Sequence, residues 1–189
     1  MKKIVSAFSF VFADDEWFNK MLIGGIYLLL TPLGIGLVMI LGYQGQVADS
    51  IRHNKSGLPM WRNSSLIFQN GIRLLCVSVV YAAILVGCVS LAGVELLSIP
   101  MLGALIVGHI LINPLIILSF TSNQSLKKSL NPLSLIAEIR HLGTGYIVVV
   151  FATSLLLLAS LLFGWMFIVV GWPLVIFLIL IVQTSAFAF

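Results

Sequence analysis

The amino-acid sequence predicts an all-α fold, a polytopic transmembrane helical bundle with amphipathic helices at the membrane surface. Two observations carry that expectation. Sixty per cent of the residues are apolar and only 8% are charged, whereas a soluble domain carries about a quarter of its residues charged to keep its surface wet. The 10 Lys and Arg residues are confined to three polar stretches between long uncharged runs, with none after Arg140, the loop asymmetry of a membrane protein with one positive face. At 189 residues the chain suits a single integral membrane domain over 1–189.

Each apolar block is argued in turn. The first, 22–41, is uncharged and at about 30 Å as a straight helix just long enough to cross a bilayer. Thr31-Pro32-Leu33-Gly34-Ile35-Gly36 interrupts it, since proline removes a backbone hydrogen bond and the glycines weaken the following turn, so a kink or break is expected there. Blocks 74–97 and 98–120 meet at Ser98-Ile99-Pro100 as an antiparallel hairpin. Blocks 146–163 and 165–187 form a second hairpin around Gly164, with Gly171-Trp172-Pro173 bending the return leg.

Three amphipathic segments at 1–13, 59–73 and 126–142 read as interfacial helices, because their polar and apolar residues separate at the 3.6-residue period. Phe8, Phe10 and Phe12 run into Asp14-Asp15-Glu16 without a small-residue cleavage site, so no cleavable signal is expected. Two topologies follow. Five spans place Lys2, Lys3 and Lys20 opposite the other seven basic residues. Four spans plus a re-entrant first block place all ten on one face.

The stretch from Phe8 to Arg73 carries a signature. Asp14-Asp15-Glu16-Trp17 is followed by Lys20, Gly24-Gly25, Gly42-Tyr43, Gly57-Leu58-Pro59-Met60-Trp61 and Asn70-Gly71-Ile72-Arg73. This order resembles the prokaryotic membrane family known as domain of unknown function 4013, and Asn113-Pro114, Gly143 to Tyr146, Pro173 and Phe177 are similar to its later part. The family's acids around the tryptophan are replaced here by Met60 and Arg62-Asn63-Ser64. The resemblance implies a polytopic helical protein of a bacterial or archaeal cytoplasmic membrane and supplies no activity.

Candidate sites are few. His109 and Asn113, four apart and followed by Pro114, share a helix face near mid-membrane, where polar groups face protein or water. They could form a ligand or proton site, or an interhelical hydrogen bond beside the proline; no second His or acid at that depth completes the former. Ala83 with Gly87 and Ala104 with Gly108 are small pairs at four-residue spacing that would let the second and third blocks approach closely, or would pack against another subunit. Trp17, Trp61, Trp165 and Trp172 are expected as interface anchors. Asp14, Asp15 and Glu16 read as the cap and first turn of a helix. Glu95 reads as a solvated residue at a hairpin end, and Cys76 and Cys88 as buried small hydrophobes.

No nucleotide loop, metal spacing, hydrolase elbow or intramembrane acid pair is present. The sequence therefore points to a non-enzymatic membrane protein with no cofactor or metal, an accessory or structural subunit packing against a larger membrane complex. The alternative is a small homo-oligomeric transporter or lipid-binding protein. Expected partners are the lipid bilayer and other membrane subunits or further copies of the chain; dispersed basic residues without a stacking platform argue against nucleic acid. Segments 52–73 and 127–140 are expected on the cytoplasmic side. A membrane-impermeant thiol reagent outside intact cells should label a cysteine at Ser98 and not one at Ser56, with Cys76 and Cys88 replaced; labelling at Ser56 would reverse the topology.

Overall fold

The computed structural model describes residues 2–93, 95, 98–123, 129–163 and 171–188. These form helices α1 (Lys2–Phe12), α2 (Trp17–Leu29), α3 (Ile35–Arg52), α4 (Ser64–Leu91), α5 (Ile99–Asn123), α6 (Pro132–Leu142), α7 (Thr144–Phe163) and α8 (Gly171–Ala188), with a single 3-10 turn at Thr31–Leu33. No strand occurs among the described residues. The all-α expectation holds.

The first apolar block does not run straight through, and of the two expected arrangements it takes the one that turns back at Pro32. It divides into α2 and α3, which pack against each other, and Gly24 and Tyr43 on either side of the turn both reach the ring of Phe177. The chain has therefore folded back as a hairpin. Pro32 sits in the 3-10 turn, Gly34 adopts φ +78°, a left-handed conformation that side chains disfavour, and a Cβ on Gly36 would overlap the Tyr27 carbonyl oxygen. Composition showed a break at this point; its geometry is a reversal.

Among the described residues two helices, Ser64–Leu91 and Ile99–Thr121, are long and apolar enough to cross a membrane, and a third if the bent pair Pro132–Arg140 and Thr144–Leu156 counts as one span. Among the described residues, neither the five spans nor the four spans that accompany a re-entrant first block are reached. Pro173–Ala188 is apolar but short, and α8 is wrapped by α1, α2, α3, α5 and α7, with Phe177 and Ile181 fully buried. Its all-round apolarity satisfies protein neighbours. The joint expected at Gly164 lies outside the described residues.

The interfacial segments also differ. Residues 59–73 are not a separate surface helix: 59–63 are non-helical, and Ser64 begins the 28 residues of α4. The period read there reflects burial against α3. Ile67 and Leu74 are fully buried, a Cβ on Gly42 would overlap the Ile67 carbonyl oxygen, and one on Gly71 would overlap that of Val38. Helix α1 buries Ala7 and Val11 completely and packs against α8, so it belongs to the bundle. The third segment comes nearest to expectation. Helix α6 is capped by Asn131, whose side chain accepts the Leu133 N–H at 3.0 Å, and turns through 96° into α7 at Gly143, φ +57°.

Close backbone approach at Gly42 and Gly71 makes a sign prediction. Gly→Ala in an open helix position stabilises by up to about 1 kcal/mol, and Gly87, with nothing within 4 Å of an added Cβ, should follow that rule. Gly42→Ala and Gly71→Ala should instead destabilise, by roughly 1–3 kcal/mol of overpacking. Thermal unfolding in detergent followed by circular dichroism checks this; stabilisation at Gly42 would refute the packing.

Candidate functional site

The polar chemistry of the bundle gathers in three places. The most enclosed is built by α2, the loop before α4, α3 and α8. Lys20, in the first turns of α2, has only 8% of its side chain exposed and Asp14 only 10%. The Lys20 ammonium donates to Asp14 Oδ2 at 2.7 Å and to the Leu58 carbonyl at 2.8 Å. Asp14 Oδ2 also accepts the Leu58 N–H at 2.7 Å, and Oδ1 accepts the Glu16 N–H at 2.9 Å. Burial by itself would raise the Asp14 carboxyl; the bond from Lys20, the two backbone N–H groups and the Lys20 charge outweigh it and hold the carboxyl below its ordinary value. The acids before α2 do not cap it as expected, since no side chain accepts from its first N–H groups. Asp14 is committed to Lys20 and the distant loop.

That loop then positions aromatics. Gly57 has φ +77°, and a Cβ there would lie 2.6 Å from Asp14 Oδ2, so glycine is required twice over. Trp61 donates its indole N–H to the Lys20 carbonyl at 3.1 Å and stacks on Tyr43 with centroids 4.0 Å apart and planes 6° from parallel. Tyr27 and Phe177 complete the surround at 5.1 and 6.0 Å, and Tyr43 donates its hydroxyl to the Pro59 carbonyl at 2.9 Å. Trp61 is thus a packing residue of this cluster. Trp17 lies edge-on to Phe12 and Phe18 and is half-buried. Trp165 and the side chain of Trp172 lie outside the described residues.

The second place is a cleft of about 30 Å³ between α4 and α5, lined by Ser78, Tyr81, Gly108, His109 and Asn113 among others. Asn113 is buried, and neither its Oδ1 nor Ser78 Oγ has a partner. His109 shares the cleft but is exposed. The sequence pair is thereby brought together, in a space that fits about one water-sized guest. Gly108 meets Leu85 across this seam, whereas Gly87 meets nothing and Ala83 is exposed. Ala83 and Gly87 therefore do not form the α4–α5 contact expected of them, and the Ala104 side chain lies outside the described residues. Cys76 and Cys88 are exposed on α4, contrary to expectation, and Glu95 is exposed as expected.

The third place is an open cavity of about 450 Å³ where α3, the following loop, the start of α4 and the end of α5 meet. It is lined by Gln46, Asp49, Lys55, Asn63, Asn70 and Arg73, together with apolar Leu66 and Phe120. Asp49 faces His53 at 3.3 Å. Among the described residues no group of three or more His, Cys, Asp or Glu could hold a metal.

Removing one member of the buried ion pair, as in Asp14→Ala or Lys20→Met, should cost roughly 3–5 kcal/mol, with much of it recovered in the Asp14→Leu/Lys20→Met double variant. Because the Asp14 carboxyl titrates lower in the folded chain, its contribution is complete above the ordinary value of 3.8 and is lost as pH falls through the lower folded value. Melting temperature against pH checks both. The double variant should show a shallower acid loss than wild type, and an equal loss would remove the pair from this role.

Residues 25–171 match the family described as Protein of unknown function (DUF4013). The match includes Gly42, Tyr43, Gly57 to Trp61 and Gly71, and begins after Asp14 and Lys20. No curated protein and no solved structure matches the chain. With the match extending over most of its length, the chain belongs to the DUF4013 family.

Proposed function

We propose that this protein is a non-catalytic subunit of a cytoplasmic-membrane assembly, packing through α4 against a partner embedded in the same bilayer. One observation carries the reading. Ala83 and Gly87, one turn apart on α4, lie exposed on a face that no helix covers among the described residues, and nothing lies within 4 Å of where a Gly87 Cβ would be. Only 11% of the apolar window of α4 is buried within the chain. Lipid can cover such a surface, but a pair of small residues gains nothing from lipid contact; its use is to let a second helix backbone come close.

A transport role has less to rest on. The turn at Pro32 lies exposed, with nothing within 4 Å of where a Gly34 Cβ would be, and the cleft at His109 and Asn113 is too small for a solute beyond a water-sized guest.

The tagged protein extracted in mild detergent should carry a stoichiometric membrane-protein partner by mass spectrometry. Ala83→Leu/Gly87→Leu should release that partner while leaving the melting temperature of the isolated chain unchanged. A lone monomer would overturn the proposal, and an assembly made only of further copies would replace the hetero-partner with a homo-oligomer.

A further inference from the structure

The cavity beside Arg73 has the features of a site for one chemical group. Arg73 and Lys55 have no carboxylate partner among the described residues, and the one acid lining the cavity, Asp49, already faces His53. Two cations and one carboxylate therefore line the space, which leaves it with a net positive charge. Gln46, Asn63 and Asn70 add carboxamide donors around the same space. A volume of about 450 Å³ lies within the range of small-molecule clefts. This donor set, two cations and several neutral N–H groups, suits a phosphate ester better than a carboxylate or a cation.

The position of the cavity selects the source of the phosphate. Arg73 is the last charged residue before the uncharged stretch 74–91 of α4, which as helix extends about 27 Å, close to the hydrocarbon thickness of a bilayer. At the matching end of α5, Phe120 is the last apolar residue before the polar stretch Thr121-Ser122-Asn123 and lines the cavity. Both candidate spans therefore leave the apolar layer beside the cavity, at headgroup depth. Leu66, half exposed, and Phe120 give the wall an apolar part next to the cations, which suits the glycerol and first methylenes of a lipid; a free phosphate ion would gain nothing there.

We propose that this cavity binds the headgroup of an anionic phospholipid, with the phosphate between Arg73 and Lys55 and the carboxamides of Gln46, Asn63 and Asn70 on its remaining oxygens and glycerol hydroxyls. The inference needs the chain to be embedded in a bilayer, and it stands or falls apart from the partner proposed for α4. It gives the positive face a specific contact in addition to general attraction to an anionic leaflet.

The test uses the delipidated full-length protein in neutral detergent, titrated with short-chain phosphatidylglycerol or phosphatidylcholine and read by native mass spectrometry. Phosphatidylglycerol should bind about thirtyfold more tightly, at about fivefold for each of the two cations. Arg73→Gln and Lys55→Gln should each weaken it about fivefold, Arg73→Lys should retain most of the affinity, and Arg140→Gln, a cation on α6 that is not among the residues lining the cavity, should change nothing. Equal affinity for the two lipids would overturn the proposal, as would an equal loss in Arg140→Gln, which would mean diffuse surface charge. Inorganic phosphate displacing the lipid at matched concentration would reassign the cavity to a soluble anion and overturn the lipid. Melting temperatures of the variants report folding, and should Arg73→Gln unfold, Lys55→Gln on the loop still decides.

Discussion

A lysine buried in an apolar bundle sets the terms for the rest of this structure. Taking an ammonium group out of water is costly unless opposite charge and hydrogen bonds replace the solvent. Lys20 obtains Asp14 from the segment before α2 and the Leu58 carbonyl from a loop 38 residues away. Asp14 in turn takes the Leu58 N–H. Two backbone groups of one residue and both charges are satisfied in a single closed arrangement, so the loop has one place to sit. Once Leu58 is held, Pro59 meets Tyr43 and Trp61 enters the space between Tyr27, Tyr43 and Phe177. Helices α2, α3 and α8 are thereby fastened at one end through a single tryptophan.

Glycine supplies the complementary constraint. Gly24 lets the Phe177 ring lie against α2, and Gly42 and Gly71 let α3 and α4 approach until backbone meets backbone. In a bilayer, where burying apolar side chains away from lipid gains little, such close contact is the main source of attraction between helices. It also explains why so much of α4 is left uncovered: one glycine seam at its polar end and the Leu85–Gly108 contact beyond hold it. The uncovered length is free for lipid and, on the reading favoured above, for a partner at Ala83 and Gly87.

Much of the plan was legible in the residues. The helical class, the apolar runs of α4 and α5, the break at Pro32 and the right-angle helix before α7 were all in the hydropathy and the turn residues, because these are local properties. The residues of the Lys20 cluster were visible too, as the signature from Asp14 to Trp61. What they do was not. Asp14 looked like a helix cap and Trp61 like an interface anchor, since their local contexts, an acid before a helix and an aromatic near a charged boundary, are those of caps and anchors.

By itself, then, the sequence determined which segments are helical, which are apolar and where the chain must bend, since propensity, period and charge act over a few residues. Only the tertiary structure decided that the bend at Gly34 reverses the chain, that 64–73 continues into α4, and that the last apolar helix is enclosed by its neighbours. The physical reason is the same in each case. A 3.6-residue apolar stripe is identical whether it faces lipid, a membrane surface or another helix, and the choice rests on contacts between residues far apart in the chain, Lys20 with Leu58, Gly71 with Val38, and Gly24 with Phe177.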